Sequence, residues 1–322
     1  MPMDRILVIC GPTATGKTAL ALSLAKLLNA EIVSADSKQV YKGLNIGTGK
    51  DVPAGARRKG YYEFKGIKIW GYDLVGPKEA FSVAQNIGFA RNKIKEIGEK
   101  GKLPIIVGGT GLYIKAIIDG IPTARIPQNR ALRGNLVDKS VDELFEILAQ
   151  LDPIKAGSLN TSDRQNPRRL IRGIEIATLK LEGKNEKYEG KGTGEKYETL
   201  FIGLTAPKEY IFGKIEKRVG VRVREGVEKE IAGLLAKGIT WDNQSMSSLG
   251  YRQWRGYFEK TKGKKETIED WKKEERKYAK RQITWFKKDM RINWFDITKA
   301  NWADNVEKLA KKWYSSSNAE KN

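Results

Sequence analysis

Gly11-Pro12-Thr13-Ala14-Thr15-Gly16-Lys17-Thr18 is the stretch that decides the fold. It follows the apolar run Arg5-Ile6-Leu7-Val8-Ile9-Cys10, which reads as a buried strand, and it precedes residues 19–28, which read as a helix. A phosphate-binding loop needs this strand–loop–helix setting. Its glycines let backbone N–H groups turn inward around phosphate oxygens, and the helix N-terminus adds the positive end of its dipole. Lys17 would reach the phosphates as a point charge and the Thr18 hydroxyl would reach Mg²⁺. The competing reading is a glycine-rich turn that binds nothing, and the flanking elements weigh against it. The motif specifies phosphate or diphosphate; it does not specify ATP.

Outward from the loop, strand-like and helix-like segments alternate. Glu31–Ala35, Ile67–Leu74 and Leu103–Val107 read as strands, and Phe81–Lys100 as a helix. The expected class is α/β, a P-loop NTPase-like parallel sheet flanked by helices, with an inserted helical lobe. The Pro-marked stretch Ile121–Pro127 leaves the core, so the lobe is placed at 121–165 and the core at 1–120 and 166–322. Helices are expected over 141–150 and 167–181, and a polar mobile loop over 182–197. Strand character returns at Thr199–Leu204. Helices follow over 208–219, 225–237 and 271–288, then an edge strand at Ile292–Phe295 and a frayed tail from Ser315.

The 322 residues, 40% of them hydrophobic, suffice for one large or two modest cores. No apolar run approaches the ~20 residues a membrane span requires. The first strand begins at once, so no leader is expected, and the single cysteine, Cys10, fits a reducing cytoplasm. Sixty Lys+Arg against 39 Asp+Glu leave a charge of +21, a surplus that suits a polyanion such as nucleic acid; basic, solvated helix faces are the plainer explanation. With no histidine, zinc–His sites and His-based triads are excluded.

Asp36-Ser37 stands at the carboxyl end of the second strand, where ligands sit in open α/β sheets. Asp36 can hold Mg²⁺ through water, take a proton from a nucleophile, or simply close an Asx turn. The strand Ile105–Val107 ends in Gly108-Gly109-Thr110, without the acidic residue of nucleotide motors. Thr110 can bond a phosphate or cap a helix. Arg168, Arg169 and Arg172 cluster at the start of one helix, and Tyr278-Ala279-Lys280-Arg281-Gln282-Ile283-Thr284-Trp285-Phe286 interleaves cations with aromatics. That pattern suits phosphate contacts and base stacking; it equally suits an amphipathic helix with Ile283 and Trp285 turned inward. Leu249-Gly250-Tyr251-Arg252-Gln253 is a further loop with groups able to read a nucleotide.

Together these residues resemble the tRNA dimethylallyltransferases, from Ile6 to about Phe295. Residues 11–18 are similar to the family's GPTxTGKT loop. Asp36-Ser37, Gln39-Val40-Tyr41 and Gly43–Thr48 match DSxQVYxGxDIGT, and Val107–Tyr113 matches VGGTGLY. Pro167–Arg172, Leu249–Gln253 and Lys280–Phe286 resemble its P-x-R-L-x-R, GYRQ and KRQxTWxR blocks.

The resemblance implies transfer of a dimethylallyl group from dimethylallyl diphosphate to N6 of the adenosine at tRNA position 37, giving N6-isopentenyladenosine and diphosphate. It implies Asp36 as the general base, Thr110 beside the reacting centre, and Arg218 facing the diphosphate. Gly11, Pro12, Thr13, Ala14, Thr15, Gly16, Lys17 and Thr18 would form the donor site, with Thr18 on Mg²⁺. The tRNA contacts implied are Asp36, Ser37, Lys38 and Gln39; Arg168, Arg169, Leu170, Ile171 and Arg172; Gly250, Tyr251 and Arg252; and Lys280, Arg281, Gln282, Thr284 and Trp285, the last groups on C-terminal tRNA-binding helices. A monomer without membrane attachment is expected, with the anticodon stem-loop as its partner. Departures are Trp70–Leu74, where the family carries a histidine, and Ser247-Ser248, where arginine is frequent. The alternatives are an adenylate (cytokinin-type) isopentenyltransferase, a P-loop small-molecule kinase, and an RNA-binding NTPase without catalysis of this kind.

Overall fold

A computed structural model describes residues 5–50, 52, 55–184 and 197–316. In chain order the elements are β1 (Arg5–Cys10), α1 (Lys17–Leu27), β2 (Ala30–Ser34), β3 (Arg57–Arg58), β4 (Tyr62–Phe64), β5 (Ile67–Trp70), α2 (Val83–Glu99), β6 (Leu103–Val107) and α3 (Gly111–Ile118). Then come α4 (Arg130–Leu136), α5 (Val141–Leu151), α6 (Pro153–Gly157), α7 (Thr161–Arg164) and α8 (Pro167–Leu181). The chain continues with β7 (Glu198–Thr205), α9 (Lys208–Arg224), α10 (Val227–Ala236), α11 (Arg255–Phe258), α12 (Lys264–Phe286), β8 (Ile292–Asp296) and α13 (Trp302–Ser315). The described residues from 119 to 184 form one compact unit and the other described residues another.

The larger unit carries an eight-stranded sheet in the order β3-β4-β5-β2-β6-β1-β7-β8. From β5 to β8 every neighbouring pair is parallel; β3 and β4 add an antiparallel edge. β1, β2 and β6 are apolar and buried, as strands covered on both faces must be. Ile6, Val8 and Cys10 of β1 face one apolar layer with α2, α3, α9 and α12; Leu7 and Ile9 face the other with α1 and α13. Because β6 lies between β1 and β2, the loops after all three strands gather at one carboxyl edge of the sheet. Ligands bind at such a switch point.

Local chemistry sets the boundaries. Ser82 caps α2 through a reciprocal capping box with Gln85, so this helix starts two residues later than the apolar pattern predicts. β5 stops at Trp70 rather than Leu74, because Gly71 and Asp73 take φ of 95° and 55°. The hairpin edge and α13 were not expected. Trp302, Leu309 and Trp313 of α13 pack against the layer over α1, and Arg5 donates to the carbonyls of Trp313 and Tyr314. The polar loop expected at 182–197 lies mostly outside the described residues, as does the tail beyond Ser316; Ser315 itself ends α13.

The smaller unit is the helical lobe, but it is longer than 121–165. Helix α8, assigned to the core from sequence, turns Leu170, Ile174 and Ala177 onto Leu144 and Leu148 of α5. Glu175 of the same helix is buried and accepts from Arg133 at 2.7 and 2.9 Å, from Arg172 at 3.0 Å and from the Asn129 N–H at 2.8 Å. Burial alone would raise its pKa; these donors, Arg133 foremost, bring it below the ordinary carboxylate value. An apolar stripe and a fully paired buried charge fix α8 within the lobe.

Candidate active site

The loops after β1, β2 and β6 open onto one cleft of about 470 Å³, walled opposite by α9, by residues 247–252 and by α12. Among the described residues, seven cationic ones line it (Lys17, Lys38, Lys214, Arg218, Arg222, Arg252 and Arg281) against the carboxylates of Asp36 and Glu275. A concave site of that balance concentrates polyanions.

The phosphate loop takes its form in part from positions that favour glycine. Gly11 has φ 131°, and a Cβ there would stand 2.3 Å from the Leu204 carbonyl oxygen of the neighbouring strand. Gly16, left-handed at φ 83°, caps α1 without a side chain, which leaves the first N–H groups of the helix unblocked. Lys17 donates to the Pro12 carbonyl at 2.7 Å, so its ammonium is folded over the loop. Thr13 is held from both sides: its N–H donates to Gln282 Oε1 at 2.9 Å and its hydroxyl accepts from Arg218 at 2.9 Å. Its N–H is therefore engaged by protein rather than open to an anion.

Arg218 also donates to the Gly49 carbonyl at 3.1 Å. Arg222, one turn on, pairs with Glu275 at 3.1 Å, and Trp271 Nε1 donates to the same carboxylate at 3.2 Å. Both guanidinium groups pass close over Gly49, where φ is 57° and a Cβ would meet Arg222 at 1.6 Å. Arg222, Glu275 and Lys214 were not anticipated, and Tyr278 only as part of the stretch 278–286. The only sequence signal was the basic, amphipathic character of α9 and α12, because an ion pair between distant helices leaves no local pattern.

Asp36 forms the Asx turn and lines the cleft as well. Its Oδ1 accepts from the N–H groups of Lys38 at 2.8 Å and Gln39 at 3.2 Å, and its Oδ2 makes no hydrogen bond among the described residues. The turn orients the carboxylate and engages only one of its oxygens. Ser37 lines the cleft; Lys38 donates to the Gln244 carbonyl and to Ser247 Oγ; Gln39 reaches the Gly49 carbonyl at 3.0 Å. Thr110 starts α3 with its carbonyl, but its hydroxyl caps nothing and is buried against the Tyr278 phenol. Burial and then the Asp36 charge raise the Tyr278 pKa, which keeps that phenol neutral.

Several residues assigned to tRNA contact serve the protein interior. Tyr251 is fully buried, and its hydroxyl donates to Glu230. That carboxylate also gathers the N–H groups of Asn45, Ile46 and Gly47, so it holds the 43–48 loop. Gly250 lets the chain pass 2.4 Å from where its Cβ would meet the Gly47 carbonyl. Gln282 is buried and bonded to two loops. Leu170 belongs to the lobe core, Ile171 packs against it, and Arg172 donates to the carbonyls of Thr123 and Ile126, each at 2.7 Å. The motif spacing did not separate inward from outward positions. Exposed residues remain: Arg168, Arg169 (paired with Asp163), Arg252, Lys280, Arg281, Thr284 and Trp285, the last lying against Gly111.

The family model "IPP transferase" matches residues 39–289, and "Isopentenyl transferase" matches residues 4–59. This chain belongs to the IPP transferase family. Among its relatives, the tRNA dimethylallyltransferase of Anoxybacillus flavithermus is 40% identical over 295 residues, covering 92% of this chain and 91% of that one. That of Bacillus anthracis is 36% identical over 302 residues, covering 92% of each. The crystal structure of a tRNA isopentenylpyrophosphate transferase from Bacillus halodurans superposes with a TM-score of 0.71 at 33% identity, covering 99% of this chain and 100% of that one. A eukaryotic dimethylallyltransferase acting on tRNA shares the fold, with a TM-score of 0.79 at 24% identity. In this IPP transferase the matched segments bring the phosphate loop, Asp36, Arg218 and α12 to the same cleft. Among the described residues no helix is long and apolar enough to cross a membrane.

Proposed function

We propose that this chain transfers a dimethylallyl group from dimethylallyl diphosphate to the exocyclic N6 of the adenosine at tRNA position 37. The observation that carries this reading is the meeting of an anion loop and a half-free carboxylate in one basic cleft walled by α12. The N6 lone pair forms a bond to C1 of the donor. The C1–O bond breaks, and diphosphate leaves with the electron pair. Asp36 Oδ2 takes the N6 proton. Lys17 and Arg218 stabilise the charge that grows on the leaving oxygen, an effect strongest in a site shielded from water. The Thr110 hydroxyl, buried beside Tyr278, would have to turn toward the cleft to bond the reacting groups.

The residues present fit a bound Mg²⁺. No group of three or more acidic, cysteine or histidine ligands exists among the described residues, so an all-protein cage is lacking. Thr18 at the start of α1 lines the cleft, and one hydroxyl beside substrate phosphates and water is how Mg²⁺ is commonly held. The ion would neutralise diphosphate charge.

An adenine reaches such a cleft only after leaving its stack, which costs little in an anticodon loop. Exposed Lys280 and Arg281 on α12 suit the flanking phosphates. Each phosphate contact contributes about 0.7–0.9 to the slope of log affinity against log salt. Lys280→Ala and Arg281→Ala should therefore each flatten the salt dependence of tRNA binding by about one unit. An unchanged slope would move the phosphate contacts elsewhere. The function itself is tested by diphosphate release from dimethylallyl diphosphate with tRNA, AMP or ATP offered as acceptor. Release with tRNA alone is expected; release with the free nucleotides instead would assign an adenylate prenyltransferase.

A further inference from the structure

Gln282 lies on the inner face of α12, whose outer face carries Lys280 and Arg281. Its side chain is 5% exposed and spans two of the three loops that build the cleft. Oε1 accepts from the Thr13 N–H at 2.9 Å; Nε2 donates to the Gly109 carbonyl at 2.8 Å. One partner only donates and the other only accepts, so the amide has a single satisfactory orientation. A neighbouring Cβ at residue 109 would lie 2.2 Å from Nε2, which leaves glycine as the residue that lets the amide in. Thr13, fixed at its N–H by Gln282, holds Arg218 at its hydroxyl.

We propose that Gln282 is a positioning residue for the diphosphate subsite. It ties the rim of the phosphate loop to the Gly108–Thr110 turn. Through Thr13 it sets where the Arg218 guanidinium stands over the departing anion. Although it lines the cleft, both ends of its amide are spent on the two loops, so it acts by setting the spacing between the group that holds the diphosphate and the turn that carries Thr110. Losing it would strand a buried N–H and a buried carbonyl, and the loop would shift to satisfy them with water. The cost falls on the anion that the loop holds. The exposed cations of α12 keep their places. The proposal rests on the reading of residues 11–18 as a diphosphate holder.

The test is calorimetric binding of inorganic diphosphate, with Mg²⁺ present, alongside separate titrations of dimethylallyl diphosphate and tRNA in steady state. Gln282→Leu keeps the bulk and removes both hydrogen bonds. It should weaken diphosphate binding, and raise the KM for dimethylallyl diphosphate, by about tenfold or more. The tRNA dissociation constant should stay within about twofold of the wild type, since no phosphate contact is removed. A residue that merely stabilised the fold would depress all of these together or none. Gly109→Ala keeps Gln282 but pushes its amide away, and should give the same split if the leucine variant does not fold. Diphosphate affinity equal to wild type in either folded variant overturns the proposal. Failure of the wild-type chain to bind diphosphate at all would instead overturn the phosphate-loop reading beneath it, and the proposal with it.

Discussion

Asp36→Asn is expected to lower the rate of prenyl transfer by about 10²–10⁴-fold, the usual worth of a positioned general base. The substitution is unusually clean here. Asp36 Oδ1 accepts from the N–H groups of Lys38 and Gln39, and an asparagine carbonyl also accepts in such a turn, more weakly, so the turn persists. Only the second oxygen changes, from one that can take a proton to an amide that cannot. Single-turnover assays with tRNA in excess would measure the loss, and tRNA affinity should change by no more than a few fold. Asp36→Ala removes turn and base together, so any extra loss over asparagine measures the turn. If the asparagine variant turns over at a rate near wild type, Asp36 has no part in proton transfer.

Lys17→Ala is expected to raise the requirement for dimethylallyl diphosphate by about tenfold to a hundredfold, the range for losing a hydrogen bond to a charged group. The Lys17 ammonium is folded over the loop onto the Pro12 carbonyl and lines the cleft. Arg218, fixed by Thr13 and Gly49, remains to neutralise part of the anion, so binding should weaken without vanishing. The requirement for tRNA should hardly move. Separate titrations of the two substrates distinguish this outcome from a general loss of folded protein. Equal increases for both substrates would contradict a donor-specific role.

The parts of the site fixed by backbone conformation were legible in the sequence. The glycines of residues 11–18 must turn N–H groups inward, and that need leaves a readable spacing between a strand and a helix. Asp36 was legible as a strand-end acid, but whether it closed a turn or faced a ligand was open; its Oδ1 closes the turn, and the residue also lines the cleft. The direction of a side chain was harder to read. Tyr251, Gln282 and Leu170 sit in motifs that also hold surface cations, and only packing shows that they point inward. The Arg222–Glu275 pair joins α9 to α12 across 53 residues, and no local period marks such a contact. Helix α13 starts after Asn301 in a left-handed conformation without a side-chain cap, so it lacks the usual start signal. The lobe boundary was misplaced because Pro167 and Arg168 open α8 with polar character, whereas its buried stripe begins at Leu170.

An anion loop that holds the leaving half of a prenyl donor while Asp36 readies an RNA amine must yield a prenylated nucleoside. The most direct test is mass spectrometry of nucleosides from unmodified tRNA incubated with the protein, Mg²⁺ and dimethylallyl diphosphate. Conversion of adenosine at position 37 to N6-isopentenyladenosine, with diphosphate released in equal amount, is expected. Unaltered anticodon-loop adenosines, together with transfer of a terminal phosphoryl group from a nucleoside triphosphate, would contradict it.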